Sequence, residues 1–318
     1  MKLSFVIPCY CSERTVGQVV ESIRNMMGEH KDYEYEIVLV NDCSPDNVNQ
    51  VIQAMVMSDE HVISIELARN YGQHAATMAG YRAVTGDIII TLDDDGESPV
   101  KDSFKLVDAI LSGADIVQAK YPVEKKSALR KLGSFANNYM MTTLIGKPKE
   151  LVISNFSAMR KYVIDEICKY DSPYTYIAGM FFNTTKHIVN VDLERPPRLA
   201  GESNYTLKKL LSLWINGFLA YSAKPLRISV VLGFLCAGMG FLYGLITMIR
   251  YFMIPGIQAG YSSLMSVILF VGGIIMLELG MVGEYVGRSY ITLNHVPQYV
   301  VRQVNKKETT DKSDNLAD

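Results

Sequence analysis

Gly86-Asp87-Ile88-Ile89-Ile90-Thr91-Leu92-Asp93-Asp94-Asp95-Gly96-Glu97-Ser98-Pro99 is the stretch on which the reading of the chain turns. Ile88, Ile89, Ile90 and Leu92 form a short β-branched apolar run, the pattern of a strand buried on both faces. Three adjacent carboxylates follow. Such neighbours repel one another unless they are solvated or share a cation. Carboxylates that leave room for phosphate oxygens are what Mg2+ or Mn2+ takes. In open α/β sheets, ligands bind beyond the carboxyl ends of the strands. Alone, the stretch reads equally as an acidic turn or as a metal-dependent phosphate site, and the flanking sequence has to separate the two.

Upstream, Leu3–Ile7, Glu36–Val40 and Ile63–Leu67 are further apolar runs of strand length. Thr15–Met27, Val48–Met57 and Ala75–Val84 between them have helical spacing, with Val16, Val19, Val20, Ile23 and Met27 on one face of the first. Strand-helix alternation of this kind predicts a parallel sheet covered on both faces. Each strand ends in polar residues: Tyr10 and Glu13 after Pro8, then Asp42, then Arg69 and Asn70, then Asp93 to Asp95. Four polar strand ends on one rim describe a site for a nucleotide diphosphate and its metal, with Asp42 able to accept from a nucleobase N–H. There is no Gly-x-x-x-x-Gly-Lys and no Gly-x-Gly-x-x-Gly, which excludes a P-loop and a dinucleotide fingerprint.

The bounds agree. With 318 residues the chain can hold about two domains, and a net charge of −2 gives no reason to expect a nucleic-acid partner. Five cysteines at irregular spacing read as reduced thiols of a cytoplasmic compartment, and Cys9-x-Cys11 lacks the second pair of a zinc site. Met1–Pro8 is too short an apolar run for a signal peptide.

Four segments together resemble the inverting glycosyltransferases of family 2, in the branch that transfers a sugar to a polyprenyl phosphate. They are Ser4–Tyr10, Val40–Asp46, Arg69-Asn70-Tyr71-Gly72-Gln73-His74 and Asp93–Pro99. The resemblance runs from Lys2 to about Tyr299. It implies an α/β GT-A (Rossmann-like) domain that binds a nucleotide-sugar, expected to be a UDP-sugar, with Mg2+ or Mn2+. The implied donor contacts are Pro8, Tyr10, Glu13, Asp42, Arg69, Asn70, Gln73, Asp93 and Asp94. The implied metal ligands are Asp93, Asp95 and Glu97, the last standing where the family usually has Gln. Asn155-Phe156-Ser157 replaces the family's Asp-Phe-Arg, so the Asp usually proposed as catalytic base is absent here. Asp95, Asn155 and Arg198 are the expected catalytic positions. Basic residues Lys125–Lys131 and the Arg198-Leu199-Ala200-Gly201-Glu202-Ser203-Asn204-Tyr205 signature imply an acceptor-phosphate site of Arg130, Lys131, Arg198, Ser203 and Tyr205. Branch members form homo-oligomers, and the same is implied here.

The remaining sequence points to a membrane. Leu207, Leu210, Leu211, Trp214 and Phe218 fall on one helical stripe, as in an interfacial helix. Ile228–Ile249 carries no charge, and a second span is expected from about Ser262 to Gly283, with Glu278 inside it. Lys208, Lys209, Lys224 and Arg227 before the spans and Arg288, Arg302, Lys306 and Lys307 after them put the large domain on the cytoplasmic side of the inner membrane. The expected division is a catalytic domain over 1–204, interfacial helices over 205–226, two transmembrane helices over 227–287 and a cytoplasmic tail over 288–318, disordered from Lys306. Two rival readings are a processive polysaccharide synthase and an inactive nucleotide-sugar scaffold. The first wants Gln-x-x-Arg-Trp and more spans, and the only tryptophan is Trp214, preceded by Leu213.

Overall fold

A computed structural model describes residues 1–122, 138, 141–142, 146–194, 224–253 and 260–307. The chain divides into two compact units, Met1–Gly217 with Val296–Asp318, and Phe218–His295.

The first unit alternates as its periodicity predicts: β1 (Lys2–Cys9), α1 (Val16–Glu29), β2 (Glu34–Asn41), α2 (Val48–Ser58), β3 (Val62–Leu67), α3 (Gln73–Ala83) and β4 (Ile88–Thr91). A 3-10 turn at Val100–Asp102 leads into α4 (Ser103–Leu111) and β5 (Ile116–Lys120). Then come β6 (Ser157–Arg160), α5 (Lys161–Cys168), α6 (Ile177–Thr184) and β7 (Ile188–Asp192). The apolar face read for α1 is buried in full, with Met26 added. It packs into a core formed with Phe5, Ile7, Ile37, Leu39 and Ile90 of the strands. Gly80 of α3 lets helix and sheet touch, because a methyl group there would overlap Val6 Cγ1 and lie 3.3 Å from Val40 Cγ2.

Among the described residues the sheet has eight strands in the order β7-β5-β6-β4-β1-β2-β3-β8, where β8 is Val301–Lys306. β4, β1, β2 and β3 run parallel, as expected. The sheet as a whole is mixed, which the sequence reading did not anticipate. β6 runs antiparallel to both β4 and β5, and β8 runs antiparallel to β3. β8 lies within the stretch expected to be a tail. Ile65↔Val304 and Ser64↔Asn305 are among its pairs, and an Arg302–Glu66 ion pair of 3.0 Å ties its edge to β3. Just before it, Gln298 Nε2 donates to Ser172 O at 3.1 Å, and Tyr299 lies under the Arg82 guanidinium, which donates to its hydroxyl at 3.1 Å. Residues 308–318 lie outside the described residues.

At the amino ends of the central strands, Glu36 is buried among four donors. Lys2 Nζ lies at 2.6 Å, Ser4 Oγ at 2.7 Å, Thr85 N at 2.6 Å and Thr85 Oγ1 at 2.8 Å. Burial alone would raise the Glu36 pKa; these donors outweigh it and hold the carboxyl below its ordinary range.

The described residues of the second unit form a pair of long helices, α7 (Lys224–Met253) and α8 (Tyr261–Leu293). Apolar side chains stay exposed along them, Phe234, Phe241, Phe270 and Met276 among them. Among the described residues one helix, Phe270–Leu293, is long and apolar enough to cross a membrane, and Gly233–Ile246 is a shorter apolar stretch. The segments expected to span lie on α7 and α8, and among the described residues only α8 contains a stretch of that length and apolarity, shifted toward its carboxyl end. Glu278 faces α7, its Oε1 3.4 Å from the place a Cβ on Gly233 would take.

Candidate active site

The parallel order places the carboxyl ends of β3, β2, β1 and β4 side by side, so the polar ends read from sequence share one rim. Two rim loops are joined to each other. Cys11, at φ 57, donates its N–H to Ser44 Oγ at 2.8 Å, Glu13 N donates to Asp46 Oδ2 at 3.0 Å, and Asn47 N donates to Glu13 Oε2 at 3.1 Å. Pro8 is inside β1, opposite Val40, and Tyr10 is exposed above it. All five cysteines are free.

Asp42, expected to accept from a nucleobase, is engaged by the protein's own backbone. It is buried, and its two oxygens accept from Tyr71 N and Gly72 N, each at 2.8 Å. Burial raises its pKa, and those two bonds oppose the rise. In this arrangement Asp42 fixes the Arg69–Gly72 loop, which Gly72 turns at φ 88. The loop holds Arg69 and Asn70 exposed on the rim, the Arg69 guanidinium 4.6 Å from the Tyr71 ring centroid.

The acidic trio is divided among different partners. Asp94 Oδ2 accepts from Tyr10 N at 3.0 Å, which ties β4's end to β1's. Asp95 Oδ1 accepts from Glu97 N at 2.9 Å. Asp93 accepts from Gln73 Nε2 at 2.7 Å on Oδ1, and from Asn155 Nδ2 at 3.2 Å on Oδ1 and 3.0 Å on Oδ2. Burial lifts the Asp93 pKa to about 6; Asp95 and Asp94 add to the rise, and the two amides oppose it.

Glu97 is buried, and among the described residues no group of three His, Cys, Asp or Glu gathers to hold a metal. Asp93, Asp95 and Glu97 are not drawn together as a preformed three-ligand cluster. Mg2+ and Mn2+ sites built on one or two carboxylates plus substrate phosphates need no such cage, and the donor chemistry of Asp93 and Asp95 fits that kind of site. Arg130, Lys131, Arg198, Ser203 and Tyr205 lie outside the described residues.

Sequence reading missed the residues that present Asn155. Gln118 Oε1 accepts from Ser154 N at 2.9 Å, and Asn190 brackets Val152 with bonds of 2.8 Å to its N–H and its carbonyl. Both sit on strands whose pairing was unknown from sequence, so no local signal marked them. His74, beside Gln73, meets the edge of the Tyr176 ring at 5.5 Å, and burial pushes its pKa down to about 4, so it is neutral at physiological pH.

The profile of glycosyl transferase family 2 matches residues 4–168, and that of the GtrB C-terminal hairpin matches residues 224–289. The chain is 32% identical over 307 residues to the prophage bactoprenol glucosyl transferase homolog of Escherichia coli K12, covering 96% of this chain and 100% of that one. It is 31% identical to the undecaprenyl-phosphate 4-deoxy-4-formamido-L-arabinose transferase of Proteus mirabilis, covering 95% and 94%. Among solved structures, mannosyl-3-phosphoglycerate synthase from Rubrobacter xylanophilus shares the fold, with a TM-score of 0.56 at 17% identity, over 71% of this chain and 74% of that one.

Proposed function

Because this chain belongs to glycosyl transferase family 2, we propose that it transfers a single sugar from a nucleotide-sugar to a polyprenyl phosphate at the cytoplasmic face of a membrane. The observation that carries the reading is the pairing, in one chain, of a carboxylate rim at the ends of β1 to β4 with a long apolar helix pair. A nucleotide-sugar suits the first, and an acceptor that lives in a bilayer suits the second. The two relatives carry bactoprenol and undecaprenyl phosphate in their names, which supports the same acceptor class here.

The reaction is a displacement with inversion. An acceptor phosphate oxygen forms the new bond to the anomeric carbon as the bond to the donor diphosphate breaks, and the nucleoside diphosphate leaves. A phosphate monoester has its second pKa near ~6, so the acceptor is largely dianionic at neutral pH and needs no strong base. This agrees with an amide at position 155. The difficulty is to bring two anions together and to stabilise the leaving diphosphate. A divalent cation held by Asp93 and Asp95 would supply charge neutralisation at the leaving group. Tyr10, Glu13, Arg69 and Asn70 would contact the nucleoside and diphosphate from the rim. Arg198, with Arg130 or Lys131 and with Ser203 and Tyr205, would hold the lipid phosphate. A UDP-sugar is the proposed donor, and two membrane crossings by α7 and α8 the proposed topology.

The test offers purified chain in detergent a panel of labelled nucleotide-sugars with undecaprenyl phosphate and Mg2+ or Mn2+, followed by organic extraction. The expected result is one sugar entering the organic phase, one per lipid, abolished by chelator. A product that lengthens with time would overturn the single-transfer reading, and absence of any extractable product across the panel would overturn the activity.

A further inference from the structure

We propose that Asn155 is a positioning residue: with Gln73 opposite, its amide clamps the Asp93 carboxylate in the orientation that receives the donor. What Asp93 receives follows from the glycosyltransferase reading above; the clamp follows from geometry alone. β6 pairs antiparallel with β4 at Thr91↔Ser157. Continued two residues past the end of β4, that register sets Asp93 against Asn155. The segment before β6 is itself fixed, by Gln118 at Ser154 and by Asn190 at Val152. Asn155 is thus delivered to Asp93 by strand pairing.

The direction of the amide is also determined. Nδ2 lies 3.0 Å and 3.2 Å from the two Asp93 oxygens. Turned over, the Asn155 carbonyl would face an anionic carboxylate, so the hydrogen-bond network selects the donor orientation. An amide nitrogen that donates there has no lone pair to take a proton and does not act as a base. A carboxylate offers about four lone-pair directions. Among the described residues Gln73 and Asn155 occupy two on Oδ1 and one on Oδ2, which leaves Asp93 a single direction toward a ligand. An Asp at position 155 would instead set two like charges face to face, needing a proton or a cation between them. Asn155 therefore lets Asp93 be held in place before any cation arrives.

The experiment compares full-length Asn155→Ala, Asp93→Ala and the double variant by thermal unfolding and by calorimetric titration with Mn2+ plus UDP, with GDP in parallel. Asn155→Ala should lower the Tm of the wild-type chain and leave that of Asp93→Ala unmoved. It should weaken Mn2+–nucleotide binding about tenfold, the loss expected for a charge-assisted contact. The KM for undecaprenyl phosphate should not move. Equal Tm losses in both backgrounds would show that Asn155 does not act through Asp93. Unchanged nucleotide affinity with a fallen kcat would make it a participant in the chemistry instead. A wild-type chain that binds neither nucleotide but shows the coupled Tm pattern would leave the clamp standing and remove the donor reading.

Discussion

Asp42, read from sequence as a nucleobase acceptor, also holds a rim loop in place. Both of its oxygens are engaged by backbone N–H groups of the Arg69–Gly72 loop. Asp42→Asn would turn one acceptor into a donor facing a donor, so the loop should loosen and the donor KM should rise at least about tenfold, since hydrogen bonds to a charged group are worth ~1.5–3 kcal/mol. Preference between UDP- and GDP-sugars should not change, and a kinetic comparison of the two donors checks this. Asp95→Ala should abolish cation-dependent transfer and leave the circular dichroism spectrum and Tm close to wild type; full activity with chelator present would remove the metal assignment. The residues of the rim were legible because each follows an apolar run. Their partners were not, because Asp42–Tyr71 and Asp93–Asn155 are contacts 29 and 62 residues apart.

At the scale of elements, the period of the apolar residues located every strand and helix from Lys2 to Thr91 to within two residues. It did not reveal β6, whose four residues Ser157-Ala158-Met159-Arg160 make no apolar run and whose antiparallel sense comes from where the chain re-enters the sheet. Nor did it expose Glu36, a charge inside a buried strand that sequence alone gives no reason to expect. Its pKa is held down in the folded state, so it adds stability above its unfolded pKa, and that contribution is lost as pH falls through the folded value. Glu36→Gln should therefore cost about 1.5–3 kcal/mol at neutral pH. The gap to wild type should begin to close as pH falls through the unfolded glutamate value of ~4.3 and should finish closing only below the lower folded value. Denaturant titrations across pH 3–8 measure it. Gly80→Val should cost about 1–3 kcal/mol at every pH, because the overlap with Val6 is steric.

For the whole molecule, composition separated the sheet unit from the helix pair, but the reading of everything after the helices as a tail missed β8. Its sequence, Val301-Arg302-Gln303-Val304-Asn305-Lys306, alternates weakly and is mostly exposed, so only the β3 edge identifies it as a strand. A chain cut after His295 should lose that edge along with the Arg82–Tyr299 and Gln298 contacts. Its sheet unit should melt at least ~5 °C lower than wild type, as expected for a loss of a few kcal/mol from a unit of this size. The return of β8 also bears on a question of counting. The polypeptide leaves the sheet unit before α7 and rejoins it after α8, so both ends of the excursion are moored to one folded body. A single passage through a bilayer would strand β8 on the far side from β3. On the proposed topology the crossings therefore come in even number: with α8 through the lipid and β8 on β3, α7 is the helix expected to carry the chain across in the opposite sense.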